Sequence, residues 1–159
     1  MLKRIVNKMY AVLGAIAGIL FLSLFVLNIV RIALRYFAGI AWIWLPDFSR
    51  LVFVWLVFIG ASILVGQHEH LLMDFLVAKM KPANKRILNI FTQICQIAFF
   101  VVMLVGGIPV TKVRMRVPFD TWDFPTGWAY LAVPVCAVLM IIFSLNSIQQ
   151  LLSKKGDAQ

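Results

Sequence analysis

MYAVLGAIAGILFLSLFVLNIV, residues 9–30, is a run of 22 uncharged residues closed off by Lys8 on one side and Arg31 on the other. A helix rises 1.5 Å per residue, so about 20 such residues cross the ~30 Å hydrocarbon layer of a bilayer. The basic start at Lys3 and Arg4 is that of a signal peptide. The run is nevertheless longer than the ~7–15 residues of a signal h-region, so it is expected to remain as a span. Reading outward, three more runs have the same character: Leu51 to Gln67 (17 residues, lengthened by Phe48 and Ser49), Ile87 to Thr111 (25) and Phe124 to Ser153 (30, with a polar end at Asn146, Gln149 and Gln150). The whole 159-residue chain is 63% hydrophobic and 13% charged, against ~45–50% apolar in soluble proteins. The expected fold is an all-α integral membrane protein, one membrane domain over residues 1–159 with four transmembrane helices at about 9–34, 48–67, 87–110 and 126–149.

Residues 69–83 are too short and too polar to span. His70, Asp74, Lys81 and Lys85 are spaced four, seven and four apart, which places them on one helical face. Leu72, Phe75, Leu76 and Met80 occupy the rest. This pattern predicts an amphipathic interfacial helix between spans two and three, the alternative being a cytoplasmic extension of span two. With an even number of spans, both termini and this middle loop share one side. That side holds Lys3, Arg4, Lys8, Lys79, Lys81, Lys85, Arg86, Lys154 and Lys155. The other holds Arg31, Arg35, Arg50, Lys112, Arg114 and Arg116. Nine against six predicts both termini in the cytoplasm. Trp42, Trp44, Trp122 and Trp128 gather toward the opposite face as a one-sided aromatic belt.

The net charge of +9 does not point to nucleic acid, because the basic residues stand in short groups between apolar runs and form no stripe. Ion-coupled carriers usually place ionisable groups within the bilayer, and no Asp, Glu, Lys, Arg or His stands in the middle of any of the four runs. Ser23, Ser62, Thr92, Gln93 and Gln96 do, and such residues ordinarily hydrogen-bond between helices. Haem ligation would need histidines within the spans. His68 and His70 flank one instead, without the further clustered ligands of a metal site. Cys95 and Cys136 are single and embedded in apolar sequence. Phosphate-binding loops and nucleophile elbows are absent. No enzymatic chemistry and no cofactor is expected.

Charge at the membrane boundaries is more informative. Arg31 and Arg35 are four apart, on one face at the end of span one, and Asp47 and Arg50 are three apart at the start of span two, within pairing distance on a helix. Snorkelling arginines and a helix-start aspartate are one reading. The other is a contact surface for phospholipid headgroups or a second membrane subunit, with Gly60, Ala61 and Ser62 admitting a close helix. Gly106, Gly107 and Pro109 are expected to loosen the end of span three.

These boundary residues resemble a known family. Trp44-Leu45-Pro46-Asp47-Phe48-Ser49-Arg50, followed by Trp55 and the Gly60-Ala61 step, is similar to the start of the second span in small membrane subunits of tripartite ATP-independent periplasmic (TRAP) transporters. His70 and Asp74 match that family's His-x-x-x-Asp at the start of the connecting helix, and Thr121, Pro125, Tyr130 and Pro134 match its entry to the fourth span. One departure is that Pro46-Asp47 stands where the family commonly has two acids. The resemblance implies a non-enzymatic auxiliary subunit in the bacterial inner membrane. It would enlarge the stationary scaffold of a large elevator-type membrane subunit that moves an organic acid with sodium, the acid being delivered by a periplasmic binding protein. Sialic acid and C4-dicarboxylates both fit the family. The competing classes are a self-contained small transporter, a redox-enzyme membrane anchor, and the small subunit of a tripartite tricarboxylate transporter. Intramembrane carboxylates and histidines, which would mark the first two, are missing. The boundary motifs alone weigh against the third.

Overall fold

The structure is a computed structural model that describes residues 2–67 and 82–153. In hydrocarbon each backbone N–H and C=O must be satisfied within its own segment or by closed pairing, and the chain meets this requirement with helices. They are α1 (Leu2–Ala33), which runs into a π-helical turn (Leu34–Ala38), α2 (Leu45–Gln67), α3 (Pro82–Arg114), a four-residue α4 (Gly127–Tyr130) and α5 (Ala132–Ser153). Four stretches are long and apolar enough to cross a membrane: Val6–Ala38, Leu45–Gly66, Phe91–Arg114 and Gly127–Ile148. The interfacial helix expected at 69–83 lies outside the described residues, apart from Pro82 and Ala83, which open α3.

Two features depart from the sequence reading. α3 continues through Pro109 to Arg114 instead of loosening there. Proline at 109 removes the N–H that would donate to the Val105 carbonyl, and just beyond it the Thr111 hydroxyl donates to the Gly107 carbonyl at 2.8 Å. Gly107 itself is pressed against Val133 and Pro134 of α5, where an added Cβ would sit 3.2 Å from one and 3.3 Å from the other. The segment stays helical where it packs against α5. The fourth span, in contrast, is interrupted at Leu131 between α4 and α5. Pro134 has no N–H to offer the carbonyl of Tyr130 four residues back, so the helical ladder breaks there. The chain bridges the gap with Leu131 N–H to Gly127 O (2.8 Å) and Val135 N–H to Leu131 O (3.3 Å).

The bundle packs in the order α1, α2, α5, α3, with α5 between α2 and α3. Burial follows that order. In the most apolar window of the fourth span 44% of the residues are buried inside the chain, and in that of the first span none are. Cys136, Ala137, Met140 and Phe143 of α5 form the centre together with Val52 and Ile59 of α2 and Phe100 of α3. α1 is held at the edge by Tyr10, whose ring lies 4.6 Å from that of Phe143. Tyr10 also occupies the space a side chain at Gly66 would fill, its hydroxyl and ring overlapping the position of an added Cβ. Ser23, Asn28 and Ser62 donate to carbonyls four residues back at 2.7, 2.7 and 2.8 Å. Each donating group thereby finds a partner within its own helix, and Ser62 also hydrogen-bonds Cys136 of α5.

Candidate interface at the loop end of the bundle

The segments 39–44 and 115–126 meet at one end of the bundle, where Arg31, Arg35, Trp44 and Asp47 are found. The first segment leaves α1 through the π turn, which closes on Gly39 (φ 64°, ψ 11°). This is a left-handed cap that a residue without a Cβ adopts at little cost. Ile40 N–H then reaches back to Leu34 O at 3.2 Å. α2 begins at Leu45, 1% exposed, with Pro46 in its first turn, where a missing N–H costs nothing. Asp47 follows, a carboxylate favoured beside a helix N-terminus.

The second segment folds back on itself. Phe119 N–H donates to Phe124 O and Thr126 N–H to Val117 O, each at 2.9 Å. These bonds bring Pro118 and Pro125 side by side in an isolated antiparallel bridge. The Thr126 hydroxyl lies within hydrogen-bond distance of the Val117 carbonyl (2.9 Å) and the Arg114 carbonyl (3.1 Å). Gly127 closes the return. A Cβ there would lie 2.6 Å from the backbone nitrogen of Met115 and 2.8 Å from its Cα, so only glycine fits without moving the chain. The Arg114 guanidinium caps the ring of Tyr130 at 5.2 Å.

Aromatic rings join the two segments. Trp44 lies 5.9 Å from Trp42, 6.2 Å from Phe48 and 6.3 Å from Trp122. Trp122 stacks on Phe124 at 4.9 Å and meets Phe119 at 6.1 Å. Below them Trp55 Nε1 of α2 donates to the carbonyl of Trp128 in α4 at 3.0 Å. The tryptophans read as an aromatic belt are therefore also a packed junction between loops. Thr121 Oγ1 donates to Asp47 Oδ2 across the same junction.

The site residues within the described part of the chain have definite positions. Arg31 and Arg35 are exposed and line one cleft of about 340 Å³, together with Trp42, Leu45, Pro46 and Thr121. Trp44 belongs to the aromatic junction. The expected Asp47–Arg50 pair does not form. Asp47 accepts the Thr121 hydroxyl, while Arg50, one turn further along α2, is exposed and makes no ion pair among the described residues. Gly60 has nothing within 4 Å of where its Cβ would be. His70 and Asp74 lie outside the described residues. Thr121 and Trp122 were not singled out as site residues; the signal available was the dense run of aromatic residues and prolines from Pro118 to Trp128.

The described residues thus form four helices long and apolar enough to cross a membrane, joined at one end by an aromatic junction between loops. The family of tripartite ATP-independent periplasmic transporters, DctQ component, matches residues 24–154. The chain belongs to this family: it is the small membrane subunit of a TRAP transporter, and not an enzyme. It is 28% identical over 137 residues to the sialic acid TRAP transporter permease protein SiaT of Haemophilus influenzae (strain 86-028NP), covering 86% of this chain but only 22% of that relative. It is 24% identical over 144 residues to a TRAP transporter small permease protein of H. influenzae (strain ATCC 51907), covering 87% of this chain and 84% of that one. The family match favours the TRAP assignment over a tricarboxylate-transporter subunit.

Proposed function

We propose that this chain is the stationary, auxiliary subunit of a sodium-coupled, binding-protein-dependent importer of an organic acid of the sialic acid or C4-dicarboxylate class. Its partners are a large elevator-type membrane subunit and a periplasmic substrate-binding protein. It lies in the bacterial inner membrane with both termini cytoplasmic. The boundary residues Arg31, Arg35, Trp44, Asp47, Arg50, Gly60, His70 and Asp74 serve contacts to the large subunit or to phospholipid.

The observation that carries this reading is the character of the buried polar groups. Among the described residues they are Ser62, Gln93, Thr111, Ser144, Asn146 and Ser147, none of them an acid or a base. A protein that couples ion movement to substrate usually holds ionisable groups at membrane depth. The sialic acid permease relative supports the substrate class, and its greater length supports a larger membrane partner.

Reconstitution tests the proposal. Proteoliposomes holding this chain alone are expected to show no sodium-driven uptake of sialic acid or of dicarboxylates. Adding the large subunit and a substrate-loaded binding protein is expected to give uptake, and leaving this chain out to abolish it. Gradient-coupled uptake by the chain alone, or full uptake without it, would overturn the proposal.

A further inference from the structure

The cleft at the loop end combines features that no single structural role of its residues requires. Arg31 stands in the last turn of α1 and Arg35 in the π turn that follows. Both guanidinium groups border a volume of about 340 Å³ and are exposed, with no ion pair among the described residues. Each presents five N–H donors in a planar fork suited to phosphate or carboxylate oxygens. The hydroxyl proton of Thr121, on the opposite wall, is committed to Asp47. Donation into the cleft therefore comes from the arginines. Asp47 is not among the lining residues, and neither is any other acid. The remaining wall is apolar, with Ile40, Trp42, Leu45 and Pro46. Cationic donors on one side and an apolar wall on the other suit an anionic group attached to something greasy.

The surroundings separate a lipid from a free anion. The most exposed large apolar side chains among the described residues flank the cleft: Phe37 (93%), Tyr36 (81%) and Ile43 (71%). Tyr36 and Phe37 belong to the last turn of the first span, Val6–Ala38, and Ile43 lies in the segment just after it. Aromatic rings and arginines in that position favour the boundary between headgroups and acyl chains. The π turn is part of the construction, since π turns inside helices are frequent where a functional group must be re-aimed. Here the widened turn carries Arg35 itself.

The geometry points to this cleft as the seat of one membrane phospholipid, its phosphodiester held by Arg31 and Arg35 and its glycerol end lying along Trp42 and Pro46. The inference deepens the interface role proposed above and rests on reading this end of the chain as lying at the membrane boundary.

The test is native mass spectrometry of the full chain in mild detergent, titrated with phosphatidylglycerol and, separately, with inorganic phosphate. The wild-type chain is expected to retain one phosphatidylglycerol roughly ten- to thirtyfold more tightly than Arg31→Gln/Arg35→Gln. Arg31→Lys/Arg35→Lys, which keeps the charge but not the fork, should fall between them. It also serves as the comparison if the glutamine variant fails to elute as a folded species. Equal retention by all three proteins overturns the assignment, and so does inorganic phosphate binding as tightly as the lipid. Co-purification with the large subunit is measured in parallel. Normal lipid retention by the glutamine variant together with loss of the large subunit would make the arginines a protein contact and sink the lipid seat while the scaffold role stands. Retention of lipid by a wild-type chain that never captures the large subunit would sink the scaffold role and leave the seat.

Discussion

Asp47 takes its partner from the other loop, although a guanidinium stands three residues away in sequence. The Asp47–Arg50 spacing was legible, and on a helix it brings the two within reach. The 74-residue separation between Asp47 and Thr121 was not, because only the fold brings those segments together. A hydrogen bond to a charged group contributes about 1.5–3 kcal/mol when desolvated, and the exposure of Thr121 reduces this toward the ~0–1 kcal/mol of exposed charge pairs. Thermal unfolding in detergent is expected to show a coupling of roughly 0.5–1 kcal/mol between Asp47→Ala and Thr121→Val, whereas Asp47→Ala and Arg50→Ala should be additive. Coupling confined to the arginine pair would refute the geometry. Gly127 gives a sharper contrast. Gly127→Ala drives a methyl into the backbone of Met115 and is expected to lower stability by roughly 1–3 kcal/mol, the usual cost of overpacking. Gly60→Ala meets nothing within 4 Å, so the isolated chain should be no less stable. If Gly60 faces the large subunit, the same substitution should weaken co-purification of the complex.

At the scale of elements, hydropathy located the spans well because it reports the solvent each segment meets, and the four long apolar helices follow from it directly. It could not report where a helix breaks, because two prolines of the same type have opposite outcomes. Pro109 is absorbed within a helix braced by Gly107 against α5, while Pro134 ends the ladder at Leu131. The difference lies in what surrounds each residue. Tyr10 illustrates the same limit. Its place in an apolar run gave no hint that it fastens α1 to two other helices, between Gly66 and Phe143. Truncating a buried aromatic residue in a soluble core costs about 3–5 kcal/mol, but lipid can replace part of the lost contact. Tyr10→Ala is therefore expected to cost less, roughly 1–3 kcal/mol, and to speed backbone hydrogen exchange around Gly66 without disturbing the loop end. Hydrogen–deuterium exchange of the chain in detergent checks this; unchanged exchange around Gly66 would mean that α1 is held elsewhere.

For the whole molecule, the proposed orientation, with both termini cytoplasmic, is open to a direct test: single cysteines at Lys155 and Asp120 in a cysteine-free chain should label from opposite sides of the membrane. Labelling of position 155, but not 120, by an impermeant reagent in intact spheroplasts would invert the topology. The order α1, α2, α5, α3 across the bundle differs from the order along the chain, and this has a consequence for biogenesis. The first two spans are made consecutively and are neighbours, so they can pair as soon as both have left the ribosome. The third enters the bilayer before its main neighbour has been translated, with Phe100 and Gly107 still facing lipid. It must wait beside an unfinished partner until Val133, Pro134 and the rest of α5 arrive. The last helix to be synthesised is thus the one that completes the bundle, and a ribosome stalled before it would leave two spans paired and a third one stranded.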